Sequence, residues 1–250
     1  MDILSNIIKN KRIEISKAKK RRSLTSLRYR ARPRDFKKAI AKRNKLCVIA
    51  EVKKASPSAG IIRSNFNPVQ LALQLEKAGA DALSVLTDRK FFKGHLSYIS
   101  KIKAKVKLPI LRKDFIIDEY QVYESRAFGA DAILLIARIL TQKRLKILYD
   151  LAEKLGMDCV VEVFSKSDLK KALAIKPRII GINNRNLKTF RIDLKTTPRL
   201  MKLIPKGKLV VSESGIKRNS DISNLKKAGI DAVLIGEAFM NKKIISLALK

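Results

Sequence analysis

"KAGADALSVL" occupies residues 77–86, and near copies stand at 127–136, "AFGADAILLI", and at 227–236, "KAGIDAVLIG". Each copy reads as the last turn of a helix, a glycine, a short loop through an aspartate, and an apolar strand. The glycine supplies the left-handed residue on which helices commonly end. "KLGMDCVVEV" at 154–163 is a looser version of the same unit. A helix that turns tightly into a strand, used repeatedly, predicts parallel strands joined by helical crossovers.

Working outward from these copies, eight apolar, β-rich runs punctuate the chain: 46–52, 81–86, 108–112, 131–136, 158–163, 178–183, 208–212 and 231–236. Each is almost continuously apolar, as a strand buried on both faces should be. Eight such units in 250 residues match the size of a (β/α)8 TIM barrel. A doubly wound open sheet is disfavoured, because no G-x-G-x-x-G follows the first strand. Residues 1–45 precede the barrel. Ile3, Ile7, Ile8, Ile13, Ile15, Leu24, Leu27, Phe36 and Ile40 are too many apolar residues for a solvated tail, so a helical extension packed on the barrel is expected. The expected organisation is one domain, with the extension at 1–45 and the barrel at 46–250.

Chemistry in such a barrel collects where the strands end. The first strand ends on "VIAEVKKASPSAG", residues 48–60. Strand side chains alternate, so Glu51 and Lys53 share a face. Read alone they are as consistent with a structural ion pair as with catalysis. The other ends add Arg112, Lys113 and Asp114, then Glu162, then Asn183, Asn184 and Arg185, then Ser212, Glu213, Ser214 and Gly215, then Gly236 and Glu237. On one rim these converge, and Glu51, Glu162 and Glu213 with Lys53 and Lys113, from four strands, point to acid–base catalysis. Glycines in "SESGI" and "IGEAF" suit a phosphate site, with Ser56 added from the first loop and a short helix starting after Gly236. Phe92, Phe115, Leu134 and Leu187 would together make a flat apolar slot for a ring.

Composition narrows the alternatives. Lysine and arginine number 56 against 22 acidic residues, a net charge of +34, densest in the N-terminal segment. That charge favours anionic contacts. There is no tryptophan, and few aromatics interleave with the basic runs, so a dedicated nucleic-acid partner is not expected. Cys47 and Cys159 sit in apolar runs and form no metal spacing or disulfide framework. His95 is the only histidine and is expected on an exposed loop, which excludes histidine clusters. The longest apolar runs fall short of a membrane span, and no apolar signal core opens the chain. The cytoplasm is therefore the expected location.

At this point the residues resemble a known family. "VIAEVKKASPSAG" is similar to the signature of the indole-3-glycerol phosphate synthases. So, in order, are "ALSVLTDRKFFKG" (82–94), "PILRKDFIIDEYQVYESRAFGADAILLIA" (109–137), "VVEVFS" (160–165), "IGINNRNLKTFRIDL" (180–194), "VSESGI" (211–216) and "VLIGEAFM" (233–240). The resemblance covers the chain from about residue 3. It implies closure of the pyrrole ring of 1-(2-carboxyphenylamino)-1-deoxyribulose 5-phosphate, with loss of carbon dioxide and water, in tryptophan biosynthesis. No cofactor or metal is implied. By the same resemblance Lys113 matches the general acid, Glu162 the general base, and Lys53 the residue that contacts the ring carboxylate. Glu51, Asn183 and Glu213 match residues that orient hydroxyls and tune the lysines. Ser56, Arg185, Ser214, Gly215, Gly236 and Glu237 fall at substrate- or phosphate-binding positions, and Phe92, Phe115, Leu134 and Leu187 line the ring pocket. The partner implied is a small phosphorylated substrate, and the chain reads as a monomer not fused to phosphoribosylanthranilate isomerase. A Schiff-base aldolase on this fold would want a lysine where Asn183 stands.

Overall fold

The computed structural model of the chain describes residues 3–29, 32–42, 45–186, 189 and 191–236. Among them, eight parallel strands close into a barrel: β1 (Cys47–Val52), β2 (Ala82–Leu86), β3 (Ile110–Lys113), β4 (Ala132–Ile136), β5 (Asp158–Val163), β6 (Ile179–Asn183), β7 (Leu209–Glu213) and β8 (Ala232–Ile235). Each strand pairs with the next, and β8 returns to β1 with Cys47 opposite Ala232. The expected (β/α)8 TIM barrel is therefore the fold.

Helices α1 (Ile3–Arg21) and α2 (Phe36–Ala39) precede the barrel. Between successive strands run α3 (Pro68–Lys77), α4 (Ser97–Lys103), α5 (Glu119–Ala127), α6 (Gln142–Lys154), α7 (Lys166–Ala174), α8 (Thr196–Met201) and α9 (Asn219–Lys227). Their starts are written locally. The side chains of Asn67, Asp118, Thr141 and Ser165 accept first-turn N–H groups of α3, α5, α6 and α7, groups that have no partner inside the helix.

Alternation along each strand sorts the core into two layers. Cys47, Ile49, Ala82, Leu111, Ala132, Leu134, Val160, Ile179, Val211, Ala232 and Leu234 fill the barrel interior, with Phe36 and Ile40 packed into the same cluster. Val48, Ala50, Leu83, Val85, Ile133, Leu135, Val161, Ile180 and Val233 face the helices instead. The inward parity continues past the apolar residues to Glu51, Lys53, Lys113, Glu162, Gly181, Asn183, Glu213 and Gly236. One alternation thus packs the barrel and aims the polar set.

The aspartates of the repeated unit lie at the opposite end. Asp81, Asp131 and Asp231 stand one residue before their strands rather than opening them. Their carboxylates accept backbone N–H bonds from Val48 at 2.8 Å, Ile110 at 2.7 Å and Val210 at 2.7 Å. Each therefore satisfies an N–H at the start of the preceding strand, in its first or second residue, and a buried N–H left unpaired is costly. Asp131 also accepts from the Arg34 backbone N–H and pairs with Lys103. Asp158 accepts from the Lys37 N–H at 2.9 Å, so α2 and its lead-in close the lower end of the barrel.

Two expectations are corrected. His95 is half-buried rather than exposed: its Nδ1 lies 2.7 Å from the Ser97 hydroxyl at the start of α4, and its ring is 5.9 Å from that of Tyr98. Within residues 1–45, Ile13 and Leu24 are exposed, while Leu4, Ile7 and Ile15 on α1 are buried.

Candidate active site

Fourteen strand-end and loop residues singled out above border a single cavity of about 350 Å³ at the C-terminal ends of the strands. They are Glu51, Lys53 and Ser56 from the β1 end; Phe92, Lys113, Phe115 and Leu134 from β2 to β4; Glu162, Asn183 and Arg185 from β5 and β6; and Glu213, Ser214, Gly215 and Gly236 from β7 and β8. Leu187 and Glu237, and any helix after Gly236, lie outside the described residues.

The charged groups form one pair and one triad. Lys53 Nζ is 2.8 Å from Glu51 Oε1. Lys113 Nζ is 2.8 Å from Glu213 Oε2 and 3.4 Å from Glu162 Oε2. Burial works against charge on Lys113, but Glu213, Glu162 and Glu51 outweigh it and raise its pKa above the ordinary lysine value. The ammonium is therefore fully protonated at neutral pH. Glu51 is also buried, yet Lys53 and Lys113 hold its pKa below the ordinary carboxylate value. Glu213 goes the other way. Burial and the neighbouring Glu162 charge prevail over Lys113, and its pKa is pushed up to about 7. Three carboxylates around one ammonium cannot all be ionised cheaply, and the deepest one gives way.

Glycines make room for this arrangement. A Cβ on Gly181 would sit 2.2 Å from Glu213 Oε1, and one on Gly236 would sit 2.7 Å from Glu51 Oε1 and 3.3 Å from Lys53 Nζ. Both glycines let a carboxylate occupy space inside the barrel. After β7 the backbone enters the left-handed region twice in succession, at Ser214 (φ 66°) and Gly215 (φ 86°). Strained non-glycine residues of this kind collect at functional sites. The turn sits beside Gly236 on the same wall of the cavity, where backbone N–H groups can approach an anion.

The apolar wall is built by Phe92 and Phe115, whose rings lie 6.2 Å apart, with Leu134, Leu86, Ile136 and Leu234 beside them. The opposite wall holds Arg185, with Nη1 3.4 Å from Ser58 Oγ. Ser56 Oγ accepts from the Ala59 N–H at 3.2 Å and shapes a short hairpin, Ala55–Ser56 with Gly60–Ile61.

Some rim residues point elsewhere. Arg112 lies outside the barrel, bonded to Asp114, Glu124 and Ser125. Although Asp114 borders the cavity, its carboxylate is bonded to Thr87, Arg112 and Lys11. Asn184 donates to Ser212 Oγ and to the carbonyls of Glu213 and Ser214, so it fixes the β7 turn from behind. Parity alone separates these from Lys113 and Asn183. Ser58, Ile192 and Lys217 also border the cavity and were missed, because they sit on loops where no periodicity marks direction.

Comparison with known proteins agrees with this geometry. A family model described as "Indole-3-glycerol phosphate synthase" matches residues 4–250. Curated relatives with that name include one from Acetivibrio thermocellus, 48% identical over 250 residues, covering 98% of this chain and 96% of the relative. Another, from Caldanaerobacter subterraneus subsp. tengcongensis, is 50% identical over 243 residues, with 95% and 93% covered. A third, from Campylobacter fetus subsp. fetus, is 44% identical over 252 residues, with 99% and 98% covered. A solved structure described as "Native KDPGal structure" superposes with a TM-score of 0.57 at 13% identity, covering 83% of this chain and 93% of that one; it shares the fold alone. With the family model spanning almost the whole sequence and relatives near half identical along it, the chain belongs to the indole-3-glycerol phosphate synthase family.

Proposed function

We propose that the cavity binds 1-(2-carboxyphenylamino)-1-deoxyribulose 5-phosphate and closes its pyrrole ring to give indole-3-glycerol phosphate, the chain acting as a carboxy-lyase in tryptophan biosynthesis. One observation carries the assignment of roles: an ammonium, Lys113, stands between Glu213 and Glu162 next to an aromatic slot. The ring carbon must attack the ketone, and the carbonyl oxygen must gain a proton as it becomes a hydroxyl. Lys113 supplies that proton as general acid. The ring carboxylate is held by Lys53 until it leaves as carbon dioxide. The new hydroxyl then departs as water with a proton from Lys53, and Glu162 takes the ring proton released as the ring becomes aromatic. Glu51 aims Lys53, Glu213 aims Lys113, and Asn183 orients substrate hydroxyls.

Phe92, Phe115 and Leu134 flank the ring, and Leu187 is assigned with them. Ser56, Arg185, Ser214, Gly215 and Gly236 receive the phosphate end, with Glu237 assigned to the same end. The turn at Ser214 and Gly215 supports that choice. The excess of basic charge would draw such an anion toward the protein.

The same proposal has residues 1–45 as an extension of one domain whose barrel is 46–250. It has the protein working as a monomer, since exposed large apolar residues such as Ile61, Leu73, Ile147 and Leu203 lie on separate elements. It also has the protein in the cytoplasm, since Cys47 and Cys159 are free and buried, as a reducing compartment would leave them. Among the described residues no helix is long and apolar enough to cross a membrane.

The test is an assay of the purified protein with the carboxyphenylamino substrate, following indole fluorescence. The wild type turns over, and Lys113→Ala loses roughly 10²–10⁴-fold in kcat. A folded wild type that makes no indole-3-glycerol phosphate sinks the proposal.

A further inference from the structure

Behind the aromatic wall lies an ion cluster in which the proposed mechanism has no part. Lys11, on α1, is a lysine with only 3% of its surface exposed. Its Nζ lies 2.8 Å from Asp88 Oδ2, 2.9 Å from Asp114 Oδ1 and 2.8 Å from Glu14 Oε2. The ammonium donates a hydrogen bond to Glu14 and forms ion pairs with the two aspartates. A surface pair of this kind would mean little. Here Asp88 is fully buried and Asp114 nearly so, and a buried carboxylate without its counter-ion is strongly destabilising.

Both aspartates reach the ring pocket by one further bond. Asp88 Oδ1 accepts from the Phe91 N–H at 2.8 Å, and the Asp88 carbonyl accepts from the Gly94 N–H at 2.8 Å. Those two bonds close the loop that carries Phe92. Asp114 follows Lys113 directly, and its Oδ1 accepts from the Phe115 N–H at 2.8 Å. Phe92 and Phe115 are the aromatic pair of the cavity.

We propose that Lys11 is a positioning residue for the ring pocket: by clamping Asp88 to Asp114 it fixes Phe92 against Phe115 and so sets the affinity for the carboxyphenylamino ring. The inference rests on the function proposed above. Its effect falls on binding more than on turnover, because Lys113 is held independently by Glu213 and Glu162 on other strands.

Removing the ammonium leaves Asp88 and Asp114 facing one another. The groups that then act on them are Glu14 on α1, Arg112 on β3 and Glu124 on α5, with Arg89 and His95 across the hollow that Lys11 borders. Arg112 already serves Asp114 through its other oxygen. Two buried carboxylates brought face to face repel, and the loop that carries Phe92 is pushed away from Phe115. In the wild type Lys11 stays charged. Burial opposes its charge, but Asp114 and Asp88 more than offset this and raise its pKa.

The experiment measures KM and kcat at neutral pH for full-length wild type, Lys11→Met, Lys11→Met/Asp88→Asn and Lys11→Met/Asp88→Ala. In Lys11→Met KM rises about tenfold or more over wild type, with kcat within about threefold, since small misplacements of a binding wall are expensive. The amide introduced by Asp88→Asn can still accept from the Phe91 N–H and now donates to Asp114, so that double variant has a KM within about threefold of wild type. The double variant with Asp88→Ala, which cannot bridge, keeps a raised KM.

A folded Lys11→Met with wild-type KM overturns the inference while leaving the proposed activity intact. If Lys11→Met does not fold, the two double variants decide, and equal KM values overturn it. An inactive wild type would instead remove the function on which it rests.

Discussion

The two ends of the barrel use the same residue types in opposite ways. At the N-terminal end Asp81, Asp131 and Asp231 each accept the backbone N–H of a neighbouring strand. At the C-terminal end Glu51, Glu162 and Glu213 face lysines across the cavity instead. A carboxylate whose bonds are met by the fold contributes stability. One whose strong partner is an ammonium in a cavity is available to a substrate, and Glu213 carries the strain of that arrangement as a pKa of about 7. Stability and chemistry are thus separated along the barrel axis.

Substitutions at the two ends should therefore fail differently. The largest loss of stability is expected from Asp131→Ala, which orphans the Ile110 N–H, the Arg34 N–H and Lys103 together. Denaturant titration should show about 3 kcal/mol or more lost, with kcat/KM of the folded fraction within about twofold of wild type. A matching fall in kcat/KM would break the separation.

Glu213→Gln acts at the other end, and its effect depends on pH. The folded-state pKa of about 7 lies above the ordinary value of 4.5. Between those values the folded state binds the proton and the unfolded state does not. Wild-type stability therefore falls as pH rises from about 4.5 to about 7, by on the order of 3 kcal/mol from this group, and is level above. Glutamine cannot ionise, so the variant lacks that slope. Its activity is expected to fall in kcat, since Lys113 loses the charge of its 2.8 Å partner while keeping only a neutral acceptor. Equal slopes in wild type and variant would show that Glu213 titrates normally.

The smallest effect is expected from Gly181→Ala. The added methyl presses on Glu213 and on Val160, 2.9 Å from its side chain, at roughly 1–3 kcal/mol. Moving the carboxylate should lower kcat more than it raises KM. A variant with unchanged kcat would mean that the position of Glu213 is not critical.

Much of this was legible because two periodicities coincide. The repeated Gly-x-Asp lead-ins marked where helices stop and strands begin, and the alternation along each strand already sorts Glu51, Lys53, Lys113, Glu162, Asn183 and Glu213 onto the inner face. Applied to Arg112, Asp114 and Asn184, the same alternation would have turned them outward, where the structure has their hydrogen bonds. Lys11 was not legible. It stands in a strongly basic stretch that reads as solvated, and Asp88 and Asp114 are distant in sequence, so only the tertiary fold reveals the cluster. His95 was misread for a similar reason: its role as a helix-start acceptor depends on Ser97 and Tyr98 in three dimensions.

The pairing of β1 with β8 has a consequence for synthesis of the chain. Glu51 and Lys53 are among the early barrel residues to emerge from a ribosome, while Gly236, which leaves room for them, follows all eight strands. Until β8 docks, β1 has an unpaired edge and the inner carboxylates face open water. A nascent chain that has not yet released β8 lacks the complete cavity, and with it the enclosed pocket and the shifted ionisation of Glu213. Activity should switch on as a single late event, when the long-range strand pairing closes the ring.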